Sequence, residues 1–416
     1  MRSMIVSSIG WTLVPMAAML CQCSSNFTTA DAGSDAVVEH HDDAGPEKDS
    51  GKPKDAGGTG LLSFTPSNIG CSLNASALMA AALDAGIDAA ALGDVDITSS
   101  SITDLYSDHD TASGLTSANV AYLSMRQSDG TRVGVYIANS WTIESTGTIT
   151  LAGSYPIALV AIQDIKVYAN GLIDGTSNPP GGFEAPAAEP GPGGGPGGGA
   201  AEGQSGDIGA GGGSYCGKGG VGSSATEDTD GYGTPTLIPL VAGSSGGNSG
   251  YSGGQGGGAI QLVAGSSIRI DGTVTMGGSS GFRVSGGGSG GAILIEAPTV
   301  SIGGTLAANG GGGSNTFGGA PQNAQPSATA AQGSTGDSTD LAGGNGSAGA
   351  TVNGGAAAAQ PAGGSESIAG GGGGAGYIRI NTSSGSATLT GGVLSPSAST
   401  ACMSQGKLSS AAPSCD

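Results

Sequence analysis

Residues 255–278 read QGGGAIQLVAGSSIRIDGTVTMGG, three apolar-x-apolar triplets separated by tight turns. The pairs are Ile260/Leu262, Ile268/Ile270 and Val274/Met276. Side chains alternate along a strand, so each pair points one way while Gln261, Arg269 and Thr275 point the other. One such unit cannot bury its inner face alone and has to stack on copies of itself. Downstream copies are Ile293/Ile295, Val300/Ile302 and Leu306/Ala308, then Ile378/Ile380, Ala387/Leu389 and Val393. Upstream lie Ile157/Leu159, Ile165/Val167 and Leu172/Ile173, preceded by Val135/Ile137, Trp141/Ile143 and Ile149/Leu151. The pattern predicts an all-β fold, a parallel β-helix of about five coils, right-handed by the crossover preference of parallel strands.

Composition supports a narrow repetitive core. The chain has 416 residues, of which 85 are Gly, with only 5 Phe, 9 Tyr and 2 Trp, too few large side chains for a conventional globular interior of that length. Its formal charge of −20, from 12 basic and 32 acidic residues, argues against nucleic acid, whose binding requires Lys and Arg at the phosphates. An anionic membrane surface is disfavoured for the same reason.

In chain order, residues 1–23 read as an export signal: Arg2, then the apolar run IVSSIGWTLVPMAAML, then Leu20-Cys21-Gln22-Cys23. The ending resembles a bacterial lipobox, with Cys23 as the acylated residue and Cys21 as the alternative. Residues 24–58 are polar, acidic and dotted with Asp-Ala-Gly, the composition of a disordered tether. Residues 59–132 lack clean triplets and are read as a small N-terminal cap, with a helix over 75–92 carrying Leu78, Met79, Ala82 and Leu83 on one side. Alternating segments at 120–125 and 133–137 lead into the first coil.

The β-helix is placed at 133–397, followed by a C-terminal tail at 398–416. Gly-rich insertions at 177–255, 279–288 and 310–370 each follow the third strand of a coil and precede a first strand, re-entering through GGGAI, SGGAI and GAGYI. Stacking puts the three exits in one corner. Glycine has no side chain to bury and is entropically costly to order, so the insertions are expected to be dispensable to the core, unless extended Gly-rich strands hydrogen-bond to one another as a bundle.

The lipobox-like ending, the Asp-Ala-Gly tether, FTPSNIG from Phe64, GYGTPTLIPLVAGSSGG from Gly231 and GGGGAGYIRINTSSG followed by LSPS together resemble the glycine-rich surface lipoproteins of Gram-negative bacteria, PE-PGRS-like by composition. The resemblance spans almost the whole chain. It implies a β-helical surface protein and brings no established activity with it.

Few motifs carry chemistry. Residues 212–218 fit G-x-x-x-x-G-K, but Gly219 stands where a Ser or Thr would hold a metal and no helix-forming run follows. Glu144 and Asp271 occupy equivalent positions two coils apart with Tyr168 between, about 10 Å at ~4.8 Å per coil, which is wide for a glycosidase pair. Beside them Thr142, Lys166, Arg269, Ser301 and Thr388 form an outward ladder able to meet glycans. His40, His41, Asp42 and Asp43 lie in the tether, and His109 sits between Asp108 and Asp110 with no second cluster to join; neither is read as a metal site, and no cofactor is expected.

Cys71, Cys216, Cys402 and Cys415 are an even set in an exported protein, which favours disulfides. A short-loop pairing of Cys402 with Cys415 leaves Cys71 with Cys216. The functional expectation is a non-enzymatic structural or adhesive protein of the cell surface or outer membrane, held to the membrane only by a lipid anchor and meeting glycans or other surface polymers. The alternative is an extracellular polysaccharide-active lyase or hydrolase.

Overall fold

A computed structural model describes residues 62–69, 92–108, 120–176, 179–184, 194–200, 209–223, 230–316, 319–337, 340–359 and 367–409. The chain divides into two units, Met1–Asp55 and Ala56–Asp416, and every described residue belongs to the second. The signal with Cys21 and Cys23, the tether with its His and Asp cluster, the helix expected within 75–92 (all but Leu92), His109, Cys71 and Cys415 lie outside the described residues.

The described residues hold nineteen strands and no helix. They are β1 (Asp94–Ile97), β2 (Ile102–Tyr106), β3 (Ala121–Arg126), β4 (Arg132–Ala138), β5 (Ser140–Ile143), β6 (Thr148–Ala152), β7 (Ile157–Ala161), β8 (Asp164–Val167), β9 (Leu172–Asp174), β10 (Ala259–Ala264), β11 (Ser267–Ile270), β12 (Thr273–Thr275), β13 (Ala292–Glu296), β14 (Thr299–Ile302), β15 (Thr305–Ala307), β16 (Tyr377–Thr382), β17 (Thr388–Leu389), β18 (Val393–Ser395) and β19 (Met403–Lys407). The first sheet runs β19-β16-β13-β10-β7-β4-β3, the second β1-β5-β8-β11-β14-β17 and the third β18-β15-β12-β9-β6-β2. All neighbours are parallel except the β3/β4 hairpin. From β4 to β18 the chain visits the three sheets in turn.

Register brings like residues together. Ile157, Ile260, Ile293 and Ile378 align in the first sheet, Ile165, Ile268 and Val300 in the second, and Ile173, Val274, Leu306 and Leu394 in the third. Their side chains form one continuous apolar core, each buried aliphatic contributing about 1.5–3 kcal/mol. Trp141 is fully buried there, and its indole N–H donates to Val160 O at 3.0 Å.

Several strand assignments need correction. Val135 and Ile137 do not face the core. Gly134 and Tyr136 align with Ile157 and Leu159, so Tyr136 and Ala138 point inward while Val133, Val135 and Ile137 join an outer cluster with Ile69, Met125 and Val263. β4 is apolar on both faces, so alternation gives no phase, and a slip of one residue turns every side chain over. Val393 is likewise outward and exposed, with Leu394 inward. Part of the stretch read as a cap belongs to the stack: Val95 and Ile97 of β1 align with Trp141 and Ile143, and Leu105 of β2 with Leu151. The tail is more than a tail, since β19 adds a strand beside β16.

The first sheet is covered on its outer side as well. β7, β10 and β13 are buried at every position. Part of the cover is residues 62–69, where the Ser67 N–H and hydroxyl both donate to the buried carboxylate of Glu296, which also accepts from Gln261 Nε2 at 2.7 Å and Asn381 Nδ2 at 3.0 Å. Asn68 Nδ2 donates to Leu237 O at 2.9 Å. FTPSNI (64–69), GYGTPTLIP and YIRIN, far apart in sequence, thus meet around one sheet.

The Gly-rich insertions leave after β9, β12 and β15 and return into β10, β13 and β16. Where described they are an ordered array of extended segments. The N–H groups of Ala210 and Gly213 donate to Val284 and Gly287, those of Gly211 and Ser214 to Ala200 and Gly197, and those of Gly212 and Tyr215 to Gly220 and Gly217. Residues 370–376 repeat the pattern: Gly370, Gly373 and Gly376 donate to Ser314, Gly311 and Ala308, Gly371 and Gly374 to Ala210 and Gly213, and Gly372 and Ala375 to Gly355 and Val352. A three-residue period with each successive N–H aimed at a different neighbour is polyproline II-type geometry, which forms no hydrogen bonds of its own and therefore needs partners all round.

Between array and first sheet lies a third apolar cluster, with Tyr215, Leu237, Leu240, Ala259, Ala292, Leu294 and Tyr377. Tyr215 and Tyr232 donate their hydroxyls to Val241 O and Ala242 O, and burial pushes both phenols well up, keeping them neutral donors. Beside them Cys216 is bonded to Cys402. This corrects the Cys402–Cys415 pairing, because Cys402 immediately precedes β19 and is carried by the first sheet to the array. Non-reducing peptide mapping is expected to recover a Cys216–Cys402 peptide and no free thiol at Cys71 or Cys415. A Cys402–Cys415 peptide, or alkylatable Cys216, would contradict it. Closing a loop across a sequence separation of 186 residues contributes about 3–5 kcal/mol, so Cys216→Ser should lower the melting temperature markedly.

Candidate functional site

On the outer face of the second sheet, Asp96, Thr142, Lys166, Arg269, Ser301 and Thr388 stand in register on successive strands. Asp94 pairs with Ser140, and Asp164 with Ser267, which pairs in turn with Thr299. Two of the carboxylates, Asp94 and Asp164, are engaged within the face. Asp94 accepts from Ser140 Oγ and Asn139 Nδ2, both at 2.7 Å, and these bonds hold its carboxyl below the ordinary value. Asp164 accepts from Ser267 Oγ at 2.6 Å. Lys166 lies 3.7 Å from Asp164, and Arg269 Nε 2.6 Å from Asp271. The ladder is therefore polar, and each of its two cations has a carboxylate at hand.

Glu144, Tyr168 and Asp271 form the neighbouring column: Tyr168 N–H donates to Ile143 O and Asp271 N–H to Val167 O. The depression at this edge holds Asp271, Arg269, Ser301 and Thr390 but not Glu144. With Asp271 neutralised by Arg269 and Glu144 two strands away, the column offers no facing acid and base for glycoside cleavage.

The G-x-x-x-x-G-K segment at 212–218 lies inside the array. Its Gly212 and Gly213 amides are spent on Gly220 O and Gly287 O, and Lys218 reaches Asp230 at 2.9 Å. Neither amides nor lysine are left to cradle a phosphate.

A different surface carries unspent chemistry. At the array's outer turns, 248–252 and 281–284, Tyr251 is 42% exposed and Phe282 58%. Their rings meet edge-on at 6.0 Å, and the Arg283 guanidinium sits 4.6 Å from the Tyr251 centroid while its Nη1 donates to the Tyr251 hydroxyl at 2.9 Å. Arg283 and Val284 have φ of 42° and 22°, a left-handed turn that non-glycine residues adopt at a cost. Ser249 and Ser285 brace it, their hydroxyls 2.8 Å apart. The residue reading passed over this site, although GFRVSG at 281–286 is a bulky run inside a Gly-rich insertion. No family model, curated protein or solved structure matches this chain.

Proposed function

We propose that the chain is a non-enzymatic structural and adhesive protein of the cell surface, exported and lipid-anchored through its N-terminal Cys. In this reading the three sheets close as a right-handed parallel β-helix, and the array is a rigid display element mounted along one corner. The observation that carries it is the exposed Tyr251–Arg283–Phe282 group, fixed at the outer turns of a lattice with little freedom left to lose. Preorganised aromatic and arginine side chains are the residue types that dominate recognition surfaces, and their rigidity lowers the entropic cost of binding. Clustered exposed aromatics on a polar, glycine-rich surface mark a contact site.

Binding of the mature chain to a glycan array and to whole cells tests it. Tyr251→Ala with Phe282→Ala is expected to reduce retention at least tenfold while the melting temperature stays within about 2 °C, because neither side chain belongs to an apolar core cluster. Equal retention by the double variant would remove the tip as the contact.

A further inference from the structure

The β3/β4 hairpin at the edge of the first sheet carries two arginines in an unfavourable position. Arg126 and Arg132 are direct register partners, which sets their Cβ atoms about 5 Å apart, and like charges directly opposite destabilise a sheet. Both are exposed. Among the described residues their hydrogen bonds go to neutral acceptors, Arg126 Nη1 to Gly130 O at 3.0 Å and Arg132 Nη1 to Ser124 Oγ at 2.9 Å. Lys166, Lys218 and Arg269, in contrast, each have a carboxylate at hand.

The two guanidiniums open onto a cavity of about 380 Å³ walled by Tyr155, Phe183 and residues 240–242. Ser154, Gly181 and Phe183 also line an adjoining cavity of about 540 Å³ that reaches Asp108 and Glu184. Those two carboxylates are held in place, Asp108 accepting from Ser154 N–H at 2.9 Å and Glu184 from Gln255 Nε2 at 2.9 Å. The result is one groove, cationic at one end, aromatic in the middle and rich in hydrogen-bond acceptors at the other.

We propose that this groove binds an acidic glycan segment. The carboxylate or sulfate of one sugar is held between Arg126 and Arg132, whose forked donors match such anions bidentately. The next rings lie against Tyr155 and Phe183, and their hydroxyls donate to Asp108 and Glu184. The bound anion relieves the repulsion between the arginines. The chain's net charge of −20 does not forbid the contact, because charges beyond about 8 Å are screened at physiological ionic strength.

Calorimetric titration of the full chain with a carboxylated hexasaccharide (oligogalacturonate), a sulfated one (heparin-derived) and a neutral one (maltohexaose) tests the proposal. At least one acidic hexamer is expected to bind at least tenfold more tightly than the neutral one, and the stronger of the two identifies the anion. Arg126→Gln or Arg132→Gln should weaken that binding at least tenfold, and the pair should abolish it. Because each substitution removes a like-charge contact, the variants should melt at or above the wild-type temperature, so lost binding cannot be laid to misfolding. Failure of both acidic hexamers to bind, equal affinity for the neutral one, or undiminished binding by the double arginine variant would each overturn the proposal.

Discussion

Gly373→Ala is expected to cost about 3 kcal/mol or more, lowering the melting temperature by roughly 5–10 °C. A Cβ at this position would collide with the carbonyl of Gly288, and the next nearest atoms, Gly288 C and Ser289 N, are also backbone. No side chain can rotate away, so a neighbouring segment has to shift as a whole. That shift strains the bonds from Gly373 N–H to Gly311 O at 2.8 Å and from Gly374 N–H to Gly213 O at 2.9 Å. Gly319→Ala is the matched control, since its nearest neighbour, Thr335 O, would lie at an ordinary 3.4 Å. There the smaller freedom of Ala in the unfolded chain offsets any cost, and stability should stay within about 0.5 kcal/mol. Thermal melts of the two variants decide the matter. If Gly373→Ala melts with the wild type, the array is not close-packed.

Replacing residues 179–253 with a short Gly-Ser turn should abolish the cooperative melt. This reverses the expectation from composition, under which the insertion is a dispensable lobe. The deleted residues supply the acceptors for Gly286, Ser289, Gly371 and Gly374, namely Gly247, Ser244, Ala210 and Gly213. Each buried donor left unpaired costs about 1–3 kcal/mol, against a total stability of about 5–15 kcal/mol. The same cut removes Tyr215, Leu237 and Leu240 from the apolar cluster over Ala259, Ala292 and Leu294, and takes Cys216 from its disulfide. Circular dichroism melts combined with limited proteolysis would reveal early cleavage within 276–376. A wild-type melt in the deletion would show that the sheets stand without the array.

What the chain determines by itself is the spacing of its strands. Ile260/Leu262, Ile268/Ile270 and Val274 recur at the same offsets in each copy because a strand with one apolar face has a period of two that residue identities record directly. Where the insertions leave and re-enter follows from the same count. Phase was lost at β4, where Val133, Val135 and Ile137 compete with Tyr136 for the inside, because both faces of that strand are buried and an alternation with two apolar faces carries no sign.

The tertiary structure alone decided what lies outside the stack. Glycine is silent about its neighbours. Residues 209–220, 284–291 and 370–376 have almost no side chains to mark an inner face, and their order comes from backbone N–H and C=O groups that every residue possesses. Which segments meet is set by shape, by where a missing Cβ lets another chain approach. The same holds for Cys216 meeting Cys402 and Tyr251 meeting Arg283. Each pair is joined by the geometry of turns and register, and nothing in the local sequence around either member specifies the other.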